Sequence, residues 1–359
     1  MQNMDNTLIQ NRVISNDSTL LEALKLMDAI DKKLLVIYEK EKYIGLLSAG
    51  DIQRAIIQNK PLTTEIKEVL RSNLTVASSN DSFESIKKMM LDYRMELCPV
   101  VSEENKIVKI YLWEDMFEGD KPKVASKIEI PVVVMAGGFG TRLRPLTNVL
   151  PKPLIPIGEK TMLEEIIDRF SVYGCNEFHI SVNYKADLIK FYIDNLNLSQ
   201  DINYFKEEKP QGTAGSLSLL KGKIHKTFFV SNCDILIDQD YSEILDFHRK
   251  QKNELTIVAA LKHYKIPYGT LEMGNGGELL ELKEKPDMSV WVNTGMYILE
   301  PNLLDEIPNE GLYHITYLIE KLKNSGRKVG VFPVSEGSWI DTGEWDEYNK
   351  AQEKLAKRY

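Results

Sequence analysis

A strongly apolar run, Pro131 to Ala136, opens straight into Gly137-Gly138-Phe139-Gly140-Thr141-Arg142-Leu143, and no other feature constrains this chain as much. The run reads as a β-strand. Glycines let the backbone turn tightly and bring amide N–H groups against phosphate oxygens with no side chain in the way. Arg142 adds a forked cation suited to a polyphosphate. The loop lacks the Gly-Lys-Ser/Thr ending of a P-loop. It also has an arginine where a dinucleotide-binding turn would continue into a helix.

Beyond this strand, apolar runs at 132–136, 177–182, 227–231 and 255–260 alternate with helical patterns at 162–173, 187–195 and 241–250. The alternation predicts a Rossmann-like α/β architecture: a mostly parallel, mixed sheet flanked by helices. Ligands of such sheets gather at the C-terminal ends of the strands. The chain has 359 residues, enough for two domains, with 43% hydrophobic and 27% charged residues. A polar segment at 119–127 precedes the apolar strand. It gives a first domain at 1–120, a linker at 121–130 and a second domain at 131–359.

The net charge of -8 argues against a nucleic-acid partner. Cys98, Cys175 and Cys233 lack metal-ligand or redox spacing and read as buried, reduced thiols. The polar N-terminus does not read as a signal peptide, and no apolar run approaches the roughly 20 residues of a membrane helix. A cytoplasmic protein without membrane attachment is expected.

The first domain holds an internal repeat. Asn16-Asp17-Ser18 recurs as Asn80-Asp81-Ser82, and each copy continues through a helical pattern, two short strands and an acidic residue, Asp51 or Asp115. Each repeat reads β-α-β-β-α. Residues 7–118 resemble a tandem pair of CBS modules, an α+β fold. Gly45-Leu-Leu-Ser48-Ala-Gly-Asp51 is similar to the signature in which a hydroxyl and an Asp contact an adenine nucleotide. The resemblance implies Ser48, Asp51 and Asp115 as ligand contacts. The second copy departs from it, with Lys109 near the Gly position and Leu112 near the hydroxyl position. A ligand-free adaptor or dimerisation unit is the alternative.

The second domain resembles the sugar-1-phosphate nucleotidyltransferases. Its Gly-Gly-x-Gly-Thr-Arg-Leu loop is that family's signature, and Pro151-Lys152-Pro153-Leu154 follows at the family spacing. The resemblance implies nucleotide contacts from Ala136, Gly137, Gly138, Gly140, Thr141, Arg142 and Lys152. Glu207-Glu208-Lys209-Pro210-Gln211-Gly212-Thr213-Ala214-Gly215 resembles the base-binding segment, with Glu207, Gly212 and Thr213 in contact. Relatives that use uridine or thymidine nucleotides carry Gln where Glu207 stands. A carboxylate only accepts hydrogen bonds, and guanine offers N1–H and N2–H2 side by side, so GTP is favoured over UTP, dTTP or CTP.

Asp234 and Asp341 match the family's two metal ligands. Mg2+ takes one or two carboxylates plus phosphates and water, and it would bridge the reacting phosphates. On the sugar side the resemblance implies Tyr268, Gly269, Glu284, Lys285, Asn293 and Gly295, with Asn183 as a further candidate. Arg142, Lys152, Asp234, Lys285 and Asp341 would carry catalysis. The expected reaction joins an NTP and a sugar 1-phosphate into an NDP-sugar and pyrophosphate, within a homo-oligomer. The layout is most similar to CBS-fused guanylyltransferases that make GDP-glucosamine for legionaminic acid synthesis. Mannose 1-phosphate and heptose 1-phosphate are the alternative acceptors. Uridylyl, thymidylyl and cytidylyl transfer, or a non-catalytic nucleotide sensor, are the alternative functions.

Overall fold

The computed structural model describes residues 11–40, 42–71, 76–93, 95, 97–112, 127–207, 209 and 211–356. Asp115 lies outside them. The chain divides into two compact units, Met1–Val124 and Ala125–Tyr359.

In the first unit, β1 (Val13–Ser15) pairs in parallel with β2 (Leu34–Glu39), which pairs antiparallel with β3 (Lys42–Ser48). The second repeat builds β4 (Ala77–Ser78), β5 (Leu97–Val101) and β6 (Ile107–Leu112) with the same senses. Val13 faces Val36 in one repeat and Ala77 faces Val100 in the other, so the pairing register recurs as the sequence does. Helix Leu20–Ala29 buries Leu20, Ala23, Leu24 and Met27, and a Thr19/Glu22 capping box starts it. Val36, Tyr43 and Val101 form one apolar cluster, which joins the two repeats.

The second unit is organised around a seven-stranded sheet. Its strand β7 (Val132–Met135) follows the domain boundary; a short hairpin of β8 (Pro156–Ile157) and β9 (Lys160–Thr161) comes next. The chain continues through β10 (Glu177–Val182), β11 (Asp201–Lys206), β12 (Phe228–Asn232), β13 (Ile235–Ile237) and β14 (Leu255–Lys265). It ends through β15 (Thr270–Met273), β16 (Leu279–Lys283), β17 (Asp287–Leu299), β18 (Val329–Ser335) and β19 (Trp339–Asp341). The sheet order is β11-β10-β7-β12-β17-β14-β18. All its strands run the same way except β17, which pairs antiparallel with both β12 and β14. Val132, Val133 and Val134 are fully buried, as a strand covered on both faces requires.

Helices Met162–Val172, Ala186–Asn195 and Tyr241–Gln251 cover one face, and helix Ile315–Asn324 covers the other. Thr161 and Glu164 form a capping box that fixes the start of the first of these. The three cysteines are free and buried. Burial pushes the Cys175 thiol up to about 12. Among the described residues, no helix is long and apolar enough to cross a membrane.

One expectation changes. Ile128 and Ile130, placed in the linker by sequence, pack in the core of the second unit, and Ile128 N–H donates to Tyr173 O at 2.6 Å. The polar flank hid two apolar residues that continue the strand's burial. The segment after Gly215 is a 3-10 turn, Ser216–Leu220.

Candidate active site

The glycine loop leaves the C-terminal end of β7. Gly140 adopts φ +63°, and a Cβ there would stand 2.8 Å from Thr147 Cγ2 and 3.1 Å from Lys152 Cβ. Only glycine fits that left-handed, crowded position. Thr147 Oγ1 donates to Gly140 O at 2.9 Å, so the loop is fastened to the segment that carries Lys152. Gly138 faces open space, and Thr141 and Arg142 are exposed at the loop's far end.

Lys152 is nearly buried and its ammonium pairs with the Asp234 carboxylate. Asp234 lies two residues beyond the end of β12. Asp341 ends β19, which pairs antiparallel with β13 so that Ile235 faces Asp341. Thr342 holds the register, donating from N and Oγ1 to Asp234 O at 2.8 and 3.0 Å.

The two carboxylates therefore meet. A Cβ on Gly343 would lie 2.9 Å from Asp341 Oδ1, 3.4 Å from Asp234 Oδ2 and 3.6 Å from Arg142 Nη2. Gly343 N–H donates to Asp341 Oδ1 at 2.7 Å. Burial raises the pKa of Asp341, and the neighbouring Asp234 charge adds to the rise against that amide, Lys152 and Arg142. Paired, partly buried carboxylate oxygens match the donor chemistry of a divalent cation, and Asp234 and Asp341 can hold one. Arg142 reaches Glu344 Oε1 at 3.1 Å, with both side chains exposed to solvent.

Glu207, expected from sequence to meet the base, is buried. Its Oε1 accepts from Ser181 Oγ at 2.7 Å and its Oε2 from Gln211 N at 3.3 Å. A Cβ on Gly137 would stand 2.8 Å from Glu207 Oε1, so the glycine loop and this carboxylate touch. Asn183 donates to Glu207 O at 3.0 Å, which puts it beside the base segment. Gly212 takes φ +83° against Tyr313 O, and Thr213 Oγ1 accepts from Ile315 N at 3.0 Å. Thr213 thereby fastens this segment to the first turn of helix Ile315–Asn324. Ala136 is buried where β7 gives way to the loop.

The residues expected on the sugar side come from the antiparallel excursion. Tyr268 is exposed beyond the end of β14. A Cβ on Gly269 would lie 3.1 Å from Glu284 Oε2, which joins those two motifs. Lys285 adopts φ +45° and is exposed. Asn293, Thr294 and Gly295 sit where the β14–β17 register slips, and Asn293 Oδ1 accepts from Gly295 N at 3.0 Å. Gly295, at φ +88°, lies so close to Asn232 that a Cβ would meet its Nδ2 at 2.5 Å. Asn232 immediately precedes Cys233-Asp234. The bulge thus brings this turn against the end of β12, two residues before Asp234.

In the first unit, Ser48 and Asp51 cap helix Ala49–Ile57: Ser48 N donates to Asp51 Oδ2 at 2.9 Å and Asp51 N to Ser48 Oγ at 3.2 Å. Arg54 and Arg71 both pair with the Asp51 carboxylate. Burial raises the Asp51 pKa, but the Ser48 hydrogen bonds and the two guanidiniums outweigh it and hold the carboxyl low.

Sequence reading passed over Ser181, Asn232, Gly343 and Glu344. Ser181 carries no distinct signal, because it falls in step with the polar Glu177 and His179 of β10.

A nucleotidyl transferase model matches residues 131–358. The chain belongs to the nucleotidyl transferase family. CBS domains occupy the front of this nucleotidyl transferase, with matches at 10–58 and 66–119. It is 36% identical over 182 residues to a mannose-1-phosphate guanylyltransferase catalytic subunit beta of Dictyostelium discoideum, covering 49% of this chain and 51% of that one. It is 33% identical over 227 residues to a mannose-1-phosphate guanyltransferase of Schizosaccharomyces pombe, covering 60% and 61%. The chain therefore spans between half and two thirds of the length of these curated relatives. A solved Bacillus anthracis chain assigned as a glucose-1-phosphate thymidylyltransferase shares the fold, at 21% identity and TM-score 0.51 over 64% of this chain and 96% of that one.

Proposed function

We propose that this nucleotidyl transferase moves GMP from GTP to a sugar 1-phosphate, releasing pyrophosphate and forming a GDP-sugar. The observation that carries the reading is the convergence of Lys152, Asp234, Asp341 and Arg142 beside the glycine loop. A sugar-phosphate oxygen attacks the α-phosphorus of GTP, and the bond from that phosphorus to the bridging oxygen breaks. The nucleophile is already anionic, so no general base is needed, and catalysis rests on positioning and charge neutralisation.

The glycine-loop amides and Arg142 take the leaving pyrophosphate. Lys152 holds the nucleotide phosphates, and Lys285, next to Glu284, takes the phosphate of the sugar. Glu284 with Gly269, and Asn293 with Gly295, line the sugar side. Asp234 and Asp341 are the residues that would hold Mg2+, which supplies charge neutralisation between the phosphates when bound.

Guanine is read by Glu207, whose two oxygens each keep a lone pair after accepting from Ser181 and Gln211. The relatives named as guanylyltransferases support the same base. For the acceptor we put glucosamine 1-phosphate first, on the likeness of the CBS-fused layout. The relatives' names favour mannose 1-phosphate as the second reading.

Pyrophosphate release across GTP, UTP, dTTP, CTP and ATP, each with glucosamine, mannose, heptose and glucose 1-phosphates, tests all of this. Release confined to GTP with one sugar phosphate supports it. No release with any pair favours the nucleotide-sensor alternative. The CBS unit is proposed to bind an adenine nucleotide, for which Asp51 must exchange its Arg54 and Arg71 partners. AMP or ATP added during thermal melting and turnover tests this, and no change in either supports the adaptor reading. Sedimentation tests the proposed homo-oligomer.

A further inference from the structure

Ser181 is fully buried on β10, level with Met135 of β7 and Phe205 of β11. The alternate residues Phe178, Ile180 and Val182 pack in the main core, so Ser181 projects from the other face of the sheet. Its strand neighbours at that level are apolar, and packing alone would favour an apolar residue there. A buried hydroxyl must find a partner. The one it finds is Glu207 Oε1, at 2.7 Å, across 26 positions of chain.

Glu207 is held from three directions. Ser181 donates to one carboxylate oxygen, and Gln211 N–H to the other. Gly137 closes the third side: a Cβ there would come within 2.8 Å of Glu207 Oε1 and 3.2 Å of Ser181 Oγ. The Glu207 backbone is fixed as well, by Glu207 N donating to Val182 O at 3.1 Å and Asn183 Nδ2 donating to Glu207 O at 3.0 Å. Reading two adjacent N–H donors with one carboxylate demands a fixed carboxylate plane, because both bonds form only in one orientation.

We infer that Ser181 is a positioning residue for base selection: its hydroxyl orients the Glu207 carboxylate so that this residue accepts the paired N–H groups of guanine. The inference rests on the reading of Glu207 as the guanine contact. It extends that reading to Ser181, a fully buried residue of β10. A charge-assisted hydrogen bond of this kind is strong enough for its loss to matter at the level of about tenfold in selectivity.

The test compares kcat/KM for GTP with that for UTP and ATP in the full chain, in Ser181→Ala and in Ser181→Cys. The cysteine variant is nearly isosteric but a weak donor, and it keeps the test open should the alanine variant fold poorly. The expected result is a roughly tenfold fall in kcat/KM for GTP, carried mainly by KM, with less than twofold change for UTP and ATP. An equal loss for all three nucleotides, or an unchanged preference for GTP, overturns the inference. Glu207→Gln separates the two layers. If wild type prefers GTP and Glu207→Gln abolishes that preference while both Ser181 variants retain it, the guanine contact stands and the positioning role falls. If Glu207→Gln leaves the preference intact, or wild type does not prefer GTP, both fall.

Discussion

Lys152 and Asp234, 82 positions apart, meet as a nearly buried ion pair at the mouth of the glycine loop. The lysine is fixed at its base by Gly140, and the aspartate by its place just past β12. Removing one partner of such a pair strands the other charge. Asp234→Ala is expected to cost roughly 3–5 kcal/mol of stability, read by chemical denaturation. Lys152→Met with Asp234→Asn in one chain should cost clearly less than Asp234→Ala, because no uncompensated charge is left.

Asp341 gives the cleaner activity test, because among the described residues its carboxylate holds only the Gly343 amide by hydrogen bond. Asp341→Asn keeps the shape and removes the charge. Turnover should fall on the order of a hundredfold or more, while the melting temperature stays close to wild type. Chelation with EDTA should abolish wild-type turnover and Mg2+ should restore it. Full activity in EDTA would remove the role given to both aspartates.

Gly295→Ala probes the bulge that carries the sugar-side turn. At φ +88°, with Asn232 Nδ2 in the path of a Cβ, the substitution should cost about 1–3 kcal/mol from backbone strain alone, and the clash adds to it. Combining it with Asn232→Ala should recover the steric part but not the strain. Equal stability of Gly295→Ala and wild type in urea would contradict the geometry.

His248 predicts a pH dependence away from the site. It is buried between Thr256 Oγ1 at 2.8 Å and Glu300 Oε1 at 3.0 Å, with Asn253 and Thr227 bonded to the same two partners. Burial lowers its pKa below 6.5, with Arg249 acting in the same direction and Glu300 opposing. The unfolded chain therefore takes up this proton first. Stability from this group is intact above the ordinary histidine value and is lost as pH falls below it. The melting temperature of wild type should drop more steeply below about pH 6.5 than that of His248→Gln. Parallel curves would refute this.

Much of the second unit was legible because its strands and helices obey local periodicity. Helix Met162–Val172 and strand Glu177–Val182 lie within a residue of their sequence boundaries. The antiparallel strand β17 was not, since its direction follows from tertiary pairing with β12 and β14 rather than from its own residues. Lys152, Asp234 and Asp341, quoted from three separate motifs, come together beside the glycine loop. What sequence could not supply was the second layer. Ser181 touches Glu207 only because β10 and β11 are neighbours, and Glu344 meets Arg142 across 202 positions.

Transfer of label from [α-32P]GTP to glucosamine 1-phosphate or mannose 1-phosphate tests the central claim most directly. Label is expected in a GDP-sugar, with one unlabelled pyrophosphate per transfer and loss of both in Asp341→Asn. Label that remains in GTP with every sugar phosphate, or transfer that persists undiminished in Asp341→Asn, would contradict it.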